Sequence, residues 1–187
     1  WGLKIFTPLT LRFQDFQRRQ VQLLRGEAYF NVQPNPNQPF IISADNNRVR
    51  VVGTQFTVRT GGQTQVAVEH GIVECANVRG DKTRLTAEQL TTLNPQKSSA
   101  VLTDNDSLQT FAWTKGRLIF KDRKLADIIA ELDRYHAGKI VVANTQLGQT
   151  RLTGNYKLQD IPALVVTLAQ LSHADVIRLS PYLTVLR

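Results

Sequence analysis

The sequence has 187 residues, of which 42% are hydrophobic, and carries 23 Lys and Arg against 15 Asp and Glu, a formal net charge of +8. This length and composition are typical of a globular protein with one large or two small domains, and they exclude a disordered chain. The basic excess is spread, with 12 basic and 9 acidic residues over 1–110 and 11 against 6 over 111–187. Because no nucleic-acid-binding module or stacking-aromatic pattern accompanies it, we expect an acidic protein partner and no nucleic acid.

Three absences bound the context of the chain. The sequence contains no methionine, so we expect it to be a processed or excised piece of a longer protein. It has no run of 18 apolar residues, so we expect any membrane anchor to lie outside it. Cys75 is the only cysteine, which excludes an internal disulfide and any C-x-x-C metal or redox site.

Short β-type runs separated by turn residues fill the first part of the chain, from residue 21 to residue 93. Two runs meet at Gly26, and three prolines between residues 34 and 39 indicate a loop. The runs at 65–69 and 72–75 surround His70 and Gly71, a spacing that predicts a tight hairpin. Many short strands predict a β-sandwich, a jelly-roll-like fold or a β-roll for a first domain of residues 1–95.

The pattern weakens into polar turn-formers after residue 93, and we place a linker at residues 96–110 and a second domain at 111–187. There the apolar residues follow helical spacing twice, with an offset of 36 residues between the copies. The copies are Leu125, Ile128, Ile129 and Leu132, then Ile161, Leu164, Val165 and Leu168. The first predicts a helix over 123–136; the second has Asp160 as N-cap and Pro162 in its first turn.

The 36-residue offset extends beyond the helices, since Phe120 and Lys121 align with Tyr156 and Lys157. Each copy therefore predicts strand, helix and strand, and a last strand at 182–186 completes the chain. Each helix has a single apolar face, so we expect both helices to pack on the sheet of this domain. The fold class predicted for the whole chain is mainly β plus α+β.

Histidine invites an acid–base interpretation because it titrates near neutral pH. Glu69 and His70 fall in the predicted hairpin turn without a nucleophile or metal partner in sequence, which favours an exposed turn over catalysis. His136 and His173 are each expected at a helix end, where a cation is favourable for the helix dipole. We therefore expect no catalytic residue among them.

Metal and cofactor motifs are also missing from the sequence. Asp104 and Asp106 are not followed by further acidic ligands at EF-hand spacing, and the glycines match no phosphate-binding loop. Cys75 lies in a strand pattern and is expected to be a small buried hydrophobe. We expect no metal and no cofactor.

Five segments, in order, are similar to the signature segments of FecR-type regulators. They are residues 24–32, 39–42, 52–58, 68–73 and 113–120, the last opening the C-terminal part of that family. The resemblance covers about residues 20–187, and linked segments are more specific than one short motif. The last 75 residues resemble the secretin and TonB short N-terminal fold, abbreviated STN. Trp1 to Gln20 lack the Asp-Gly-Ser type of turn that family members often have before their Arg–Val–Leu strand.

The resemblance implies a signalling protein without enzymatic activity. It implies a periplasmic sensor region that is tethered to the inner membrane in the full-length protein by a transmembrane helix absent here. Its partner would be the signalling domain of an outer-membrane TonB-dependent siderophore receptor, in cell-surface signalling that regulates iron transport. A cytoplasmic anti-sigma segment, also absent here, would contact the sigma factor.

Edge strands of an open sheet can pair with a strand of another chain, and we expect such edges at 152–157 and 182–186. The residues predicted to bind the partner are Tyr156, Lys157, Leu158, Tyr182, Leu183 and Thr184. Strand addition or docking of a helix face could join the two proteins, with Lys157 or the basic residues at 115–124 attracting an acidic partner.

Two alternatives remain open from the sequence. One is an STN-type domain of a secretin or of a receptor, although in those proteins the fold precedes other domains and here it ends the chain. The other is a carbohydrate-binding or enzymatic β-roll, which would require a cleft with convergent polar or titratable groups.

Overall fold

The computed structural model of the protein describes residues 2–5, 10–15, 19–93, 101–104 and 106–187. The chain divides into two compact units, an N-terminal unit, Trp1–Thr114, and a C-terminal unit, Lys115–Arg187. This boundary differs from the predicted linker at 96–110, because residues 101–104 form a strand that pairs with residues 89–92. Part of the expected linker thus belongs to the sheet of the N-terminal unit, and residues 94–100 and 105 lie outside the described residues.

The N-terminal unit is a β-sandwich, which is one of the three folds predicted from the sequence. Its strands are β1 Gly2–Ile5, β2 Thr10–Asp15, β3 Gln20–Val32, β4 Phe40–Ala44, β5 Asn47–Val51, β6 Thr54–Thr60, β7 Thr64–His70, β8 Val73–Ala76, β9 Lys82–Leu85, β10 Gln89–Leu93 and β11 Val101–Asp104. One sheet has the order β11-β10-β7-β6-β3, with β1 also paired to β3; the other continues β3-β4-β5-β8-β9, with β2 also paired to β3. The β3–β4 pair is parallel, and the remaining pairs described in this unit are antiparallel.

Strand β3 is shared by both sheets. Its residues 20–23 pair with β4 and its residues 26–32 pair with β6, and Gly26, at the start of the second range, adopts a positive φ of 100°. Glycine reaches this conformation without the penalty that a Cβ would impose, so the strand changes partners there without ending. The two strands predicted to meet at Gly26 are therefore one strand of 13 residues.

The core of the sandwich lies between the two sheets and takes alternate residues from each strand. Three phenylalanines occupy its centre: the Phe30 ring stacks on Phe56 at a centroid distance of 5.4 Å and lies 5.9 Å from the Phe40 ring. Phe30 and Phe56 are 0% exposed and Phe40 is 1% exposed. Burying three such rings together removes a large apolar area from water and stabilises the unit.

The predicted tight hairpin at His70 and Gly71 is wrong. Strand β7 pairs with β6 and β10, whereas β8 pairs with β5 and β9, so the chain crosses from one sheet to the other between them. Val68 and Val73, on either side of the crossing, are both fully buried in the core. The hydroxyl of Thr54 donates a hydrogen bond to the Ile72 carbonyl at 2.8 Å, which fixes the crossing segment. Glycine is still required there, since Gly71 has a φ of 93°.

A short segment covers the outer surface of the first sheet. It consists of helix α1, Ser107–Thr110, and a 3₁₀ turn, Ala112–Lys115. The ring of Phe111 meets that of Tyr29 edge to face at 6.3 Å. Phe111 and Trp113 are each 3% exposed, so the segment forms a second, smaller apolar layer in the N-terminal unit.

The C-terminal unit contains two strand–helix–strand copies. Its elements are β12 Arg117–Lys124, α2 Leu125–Leu132, β13 Lys139–Val142, α3 Thr145–Gly148, β14 Arg151–Lys157, α4 Ile161–Leu171, β15 Val176–Ser180 and β16 Leu183–Leu186. Helices α2 and α4 begin 36 residues apart, as the sequence repeat predicts. The leading strands β12 and β14 pair with each other, and the trailing strands β13 and β15 flank β16 in a separate three-stranded sheet.

Helix α2 is shorter than the predicted span of 123–136. Its first turn begins only at Leu125, because Lys124 keeps an extended backbone with φ −62° and ψ 140° and belongs to β12. At the other end the Asp133 carboxylate accepts a hydrogen bond from the Ile140 N–H at 2.8 Å. This contact turns the chain toward β13, and His136 therefore lies beyond the helix and does not cap it.

Both ends of α4 carry recognisable caps. The Asp160 carboxylate accepts a hydrogen bond from the Ala163 N–H at 2.9 Å, and Pro162 lies in the first turn, as predicted. At the C-terminal end the His173 N–H donates a hydrogen bond to the Gln170 carbonyl at 3.3 Å, and the Ala174 N–H donates one to the Ala169 carbonyl at 2.9 Å. These two bonds form a Schellman motif. His173 occupies the position that this motif usually gives to glycine and has a φ of 55°. Its backbone, rather than a charged side chain, ends the helix.

Replacing His173 by glycine is expected to raise the free energy of unfolding by about 0.5–1 kcal/mol, because glycine adopts this left-handed conformation without strain. His173→Ala removes the imidazole but keeps a Cβ at positive φ, so it should give no gain. Urea denaturation of the two variants and the wild type measures the difference. An equal gain in both variants would mean that the imidazole, and not the backbone, is the source of strain.

Candidate partner-binding surface

The first group of residues predicted to bind a partner lies on β14 and directly after it. Tyr156 points to the buried side of the β12–β14 pair, with its ring 6.0 Å from that of Phe120, and desolvation there raises its pKa. Lys157 is exposed, and the Leu158 N–H donates to the Gly116 carbonyl at 3.0 Å. Because β14 pairs only with β12 among the described strands, its other side is an open edge. Lys157 is the exposed member of this group, whereas Tyr156 and Leu158 are partly buried.

The second group lies at the start of β16, and the expectation that this strand is a sheet edge is wrong. Strand β16 is central, since it pairs in parallel with β13 and antiparallel with β15. Its backbone groups are used on both sides and cannot accept an added strand. Tyr182 lies in the turn before the strand and is 70% exposed, whereas Leu183 and Thr184 are partly buried on opposite faces of the sheet.

The face of the three-stranded sheet opposite the helices is apolar and open. Val141, Val185 and Ile177 lie directly across from one another on β13, β16 and β15, and Leu183 lies two residues before Val185 on the same face. We call these four residues the outer sheet face. Val141 is 37% exposed and the other three are partly exposed; beside them Leu179 is 64% exposed. Adjacent apolar side chains left open on one surface mark interaction sites more often than scattered ones do.

The helix-facing side of the same sheet holds a pocket of about 170 Å³. Its apolar wall includes Ile161 and Val165 of α4, and its polar rim includes His136, Arg178 and Thr184. Thr184 thus faces this pocket, while its neighbour Leu183 belongs to the outer sheet face. The two predicted groups lie in different sheets, so the structure does not join them into one continuous strand edge.

Two of the residues considered for acid–base or metal chemistry, Glu69 and Asp106, have structural partners. The Tyr29 hydroxyl donates a 2.6 Å hydrogen bond to the Glu69 carboxylate, and burial together with this carboxylate raises the pKa of Tyr29. Asp106 caps helix α1 by accepting a hydrogen bond from the Gln109 N–H at 3.3 Å. Within the described ranges no group of three or more His, Cys, Asp or Glu residues could hold a metal ion.

Cys75 lies in the sandwich core and is 1% exposed, which confirms its prediction as a small buried hydrophobe. Burial raises the pKa of its thiol to about 12. We expect Ellman's reagent at pH 8 to label Cys75 at least about a hundredfold more slowly in the folded protein than in guanidinium, because the reactive thiolate is both scarce and inaccessible. Since the unfolded thiol ionises first, stability should also fall as pH rises above about 9. Equal labelling rates in the two states would contradict this placement.

Comparison with solved structures finds matches to nearly the whole chain, and comparison with family models finds a match to its N-terminal part. Two crystal structures of a protein described as a "putative anti-sigma factor" from Parabacteroides distasonis ATCC 8503, at 1.65 and 2.50 Å, share its fold. Their TM-scores are 0.79 and 0.77 at 21% sequence identity, and the matches cover 99% and 98% of this chain and 89% and 88% of those chains. No curated protein matches the sequence significantly.

Two further observations concern the family and the membrane. None of the helices in the described part of the chain is long and apolar enough to cross a bilayer. The family model for FecR protein matches residues 5–74. This match supports the resemblance to FecR-type regulators over residues 5–74 of the chain.

Proposed function

We propose that this chain is the signal-receiving region of a sigma-factor regulator and that its C-terminal unit binds the signalling domain of an outer-membrane TonB-dependent siderophore receptor. In this proposal the chain lies in the periplasm and is tethered to the inner membrane in the full-length protein. The sigma factor is contacted by a cytoplasmic segment of that longer protein, and the receptor contact regulates iron transport.

The family and the fold support the regulatory part of the proposal. Residues 5–74 match the family model for FecR protein, and the resemblance to FecR-type regulators implies a regulatory role. Solved structures that share the fold of nearly the whole chain are described as a "putative anti-sigma factor". The duplicated strand–helix–strand architecture of the C-terminal unit agrees with the STN resemblance seen in the sequence, which is the basis for proposing a receptor domain as partner.

The outer sheet face is the observation that carries the proposal of a binding function. Three apolar residues stand in one cross-strand row, Val141, Val185 and Ile177, and no element of the C-terminal unit among the described residues pairs beyond β13 or β15. Covering such a row removes apolar area from water at roughly 25 cal/mol per Å², which favours association. The edges of β13 and β15 border this face and can accept a strand from the partner.

Lys157 and Tyr182 are the exposed members of the sequence-predicted set, and they lie in different sheets of the C-terminal unit or beside them. Lys157 is exposed at the end of β14, where it can attract an acidic partner and raise the association rate. Tyr182, 70% exposed, has the apolar ring and polar hydroxyl that are common in protein interfaces. Tyr156 is left out because its ring packs on Phe120.

Substitution on the outer sheet face tests the proposal. Val141→Glu and Ile177→Glu are each expected to weaken binding to the receptor's signalling domain at least about tenfold, because a carboxylate would be buried without a partner. Gln170→Glu on the exposed side of α4 adds the same charge and should leave the affinity unchanged. Lys157→Glu should slow association mainly, and Tyr182→Ala should speed dissociation.

Calorimetry and surface plasmon resonance with the isolated receptor domain measure these effects, and thermal melting verifies that each variant folds. If Val141→Glu and Ile177→Glu fold normally and bind as tightly as the wild type, the outer sheet face is not the contact surface.

A further inference from the structure

A second surface, on the N-terminal unit, carries concentrated positive charge. On the outer side of β5, β8 and β9 two cross-strand rows lie next to each other: Arg48, Ala76 and Lys82 in one, and Arg50, Glu74 and Arg84 in the other. We call the four cations on β5 and β9, namely Arg48, Arg50, Lys82 and Arg84, the basic face. Arg12 on β2 belongs to the first row as well, through Gln22 and Ser43.

The charges of the basic face are largely uncompensated. Arg50 forms an ion pair with Glu74 at 3.0 Å, and both side chains are about half exposed. The structure gives no ion pair for Arg48, Lys82 or Arg84 among the residues it describes. Alternate residues of a strand are about 7 Å apart and second-neighbour strands about 10 Å apart, so the four cations form a grid and not a cleft.

Apolar surface adjoins this grid at one end. A pocket of about 320 Å³ lies there, lined by Arg50, Glu74 and Arg84 on one side and by Pro34, Val52 and Ile72 on the other. Ile72 is 41% exposed. The surface thus combines a row of cations with an apolar recess directly beside it.

We propose that the basic face docks on an anionic lipid bilayer, with its cations against lipid phosphates and with Ile72 and the pocket against the apolar boundary below them. Cations next to an apolar surface can bind both parts of a lipid, because each lipid presents an anionic headgroup and an acyl chain together. Protein hot spots are enriched in aromatic anchors, and single-stranded nucleic acids bind on stacking aromatics. The described side chains in the two rows include no aromatic residue, which disfavours both.

Vesicle sedimentation with the full 187-residue chain tests the proposal. The wild type is expected to bind vesicles containing 30% phosphatidylglycerol and to leave pure phosphatidylcholine vesicles unbound, with binding that weakens as salt rises. The double variant Arg48→Glu and Lys82→Glu should reduce partitioning at least about tenfold. The matched control, Lys115→Glu and Arg187→Glu, changes the net charge equally but lies outside the basic face, and should reduce partitioning less than about threefold.

Each other outcome overturns the proposal. An equal loss in the two double variants would mean that net charge alone drives binding, and retained binding by the first would exclude the basic face. Equal binding to neutral vesicles would exclude electrostatic docking. Failure to bind vesicles, combined with face-dependent binding of poly-glutamate, would identify the face as a site for an acidic protein instead. Circular dichroism of each variant verifies the fold.

Discussion

Replacing Phe30 by alanine is expected to lower the free energy of unfolding of the N-terminal unit by about 3–5 kcal/mol. Phe30 is fully buried between Phe40 and Phe56, and strand β3, which carries it, belongs to both sheets of the sandwich. Removing the ring leaves a cavity where the two sheets meet, and close-packed strands on both sides can relax only partly. Urea denaturation followed by tryptophan fluorescence and circular dichroism measures the loss.

Leu24 on the same strand provides the control. Its side chain is 43% exposed, so Leu24→Ala should cost less than about 1 kcal/mol. If Phe30→Ala cost no more than Leu24→Ala, the aromatic cluster would not be the centre of the core.

Replacing Gly71 by alanine is expected to lower the free energy of unfolding by about 2–4 kcal/mol, the second large effect. Two penalties combine: Gly71 has a φ of 93°, and a Cβ there would lie 2.9 Å from the backbone oxygen of Gly53. Because that oxygen belongs to the neighbouring crossing between the sheets, it cannot move without shifting the chain. The same denaturation experiment measures the effect.

Gly62→Ala separates the two penalties. Gly62 has nearly the same φ, 92°, but a Cβ there would meet nothing within 4 Å. We expect it to cost only about 1 kcal/mol, the price of the left-handed conformation alone. Equal losses for Gly62→Ala and Gly71→Ala would show that the close approach to Gly53 contributes nothing.

The elements that the sequence predicts well are those defined by local chemistry. The helical spacing that recurs after 36 residues marks α2 and α4, and Asp160 and Pro162 mark the first turn of α4. These signals act within one or two turns of the chain, so neighbouring residues suffice to recognise them. The strand pattern around Cys75 likewise predicts its burial in the core, where it is 1% exposed.

The pairing of strands was predicted less well because it depends on residues far apart in sequence. Two runs that a glycine interrupts can be a hairpin, a crossing between sheets or one bent strand, and positive φ is needed in each case. At Gly71 the chain crosses from one sheet to the other, and at Gly26 it continues in the same strand. The residues that flank the two glycines do not distinguish these outcomes. The central position of β16 arises because β13 and β15 come from different copies of the repeat.

The outer sheet face was missed for a related reason. Strands β13 and β15 each carry apolar residues on both faces, and an apolar residue in a strand is ordinarily assigned to the core. Ile140 is buried, but its neighbour Val141 is 37% exposed. Consecutive apolar residues at 140–141 and 176–177 point to opposite faces of the sheet that contains both trailing strands. Because the helices cover only one of these faces, the apolar residues on the other face are left open.

Calorimetric titration of this chain with the isolated signalling domains of TonB-dependent receptors from the same organism tests the central claim most directly. We expect one of these domains to bind with a negative heat-capacity change, since the proposed contact buries apolar surface. The other domains should bind much more weakly, and Val141→Glu should abolish most of the heat. If none of the domains binds the wild-type chain, the proposal that it receives a signal from such a receptor is wrong.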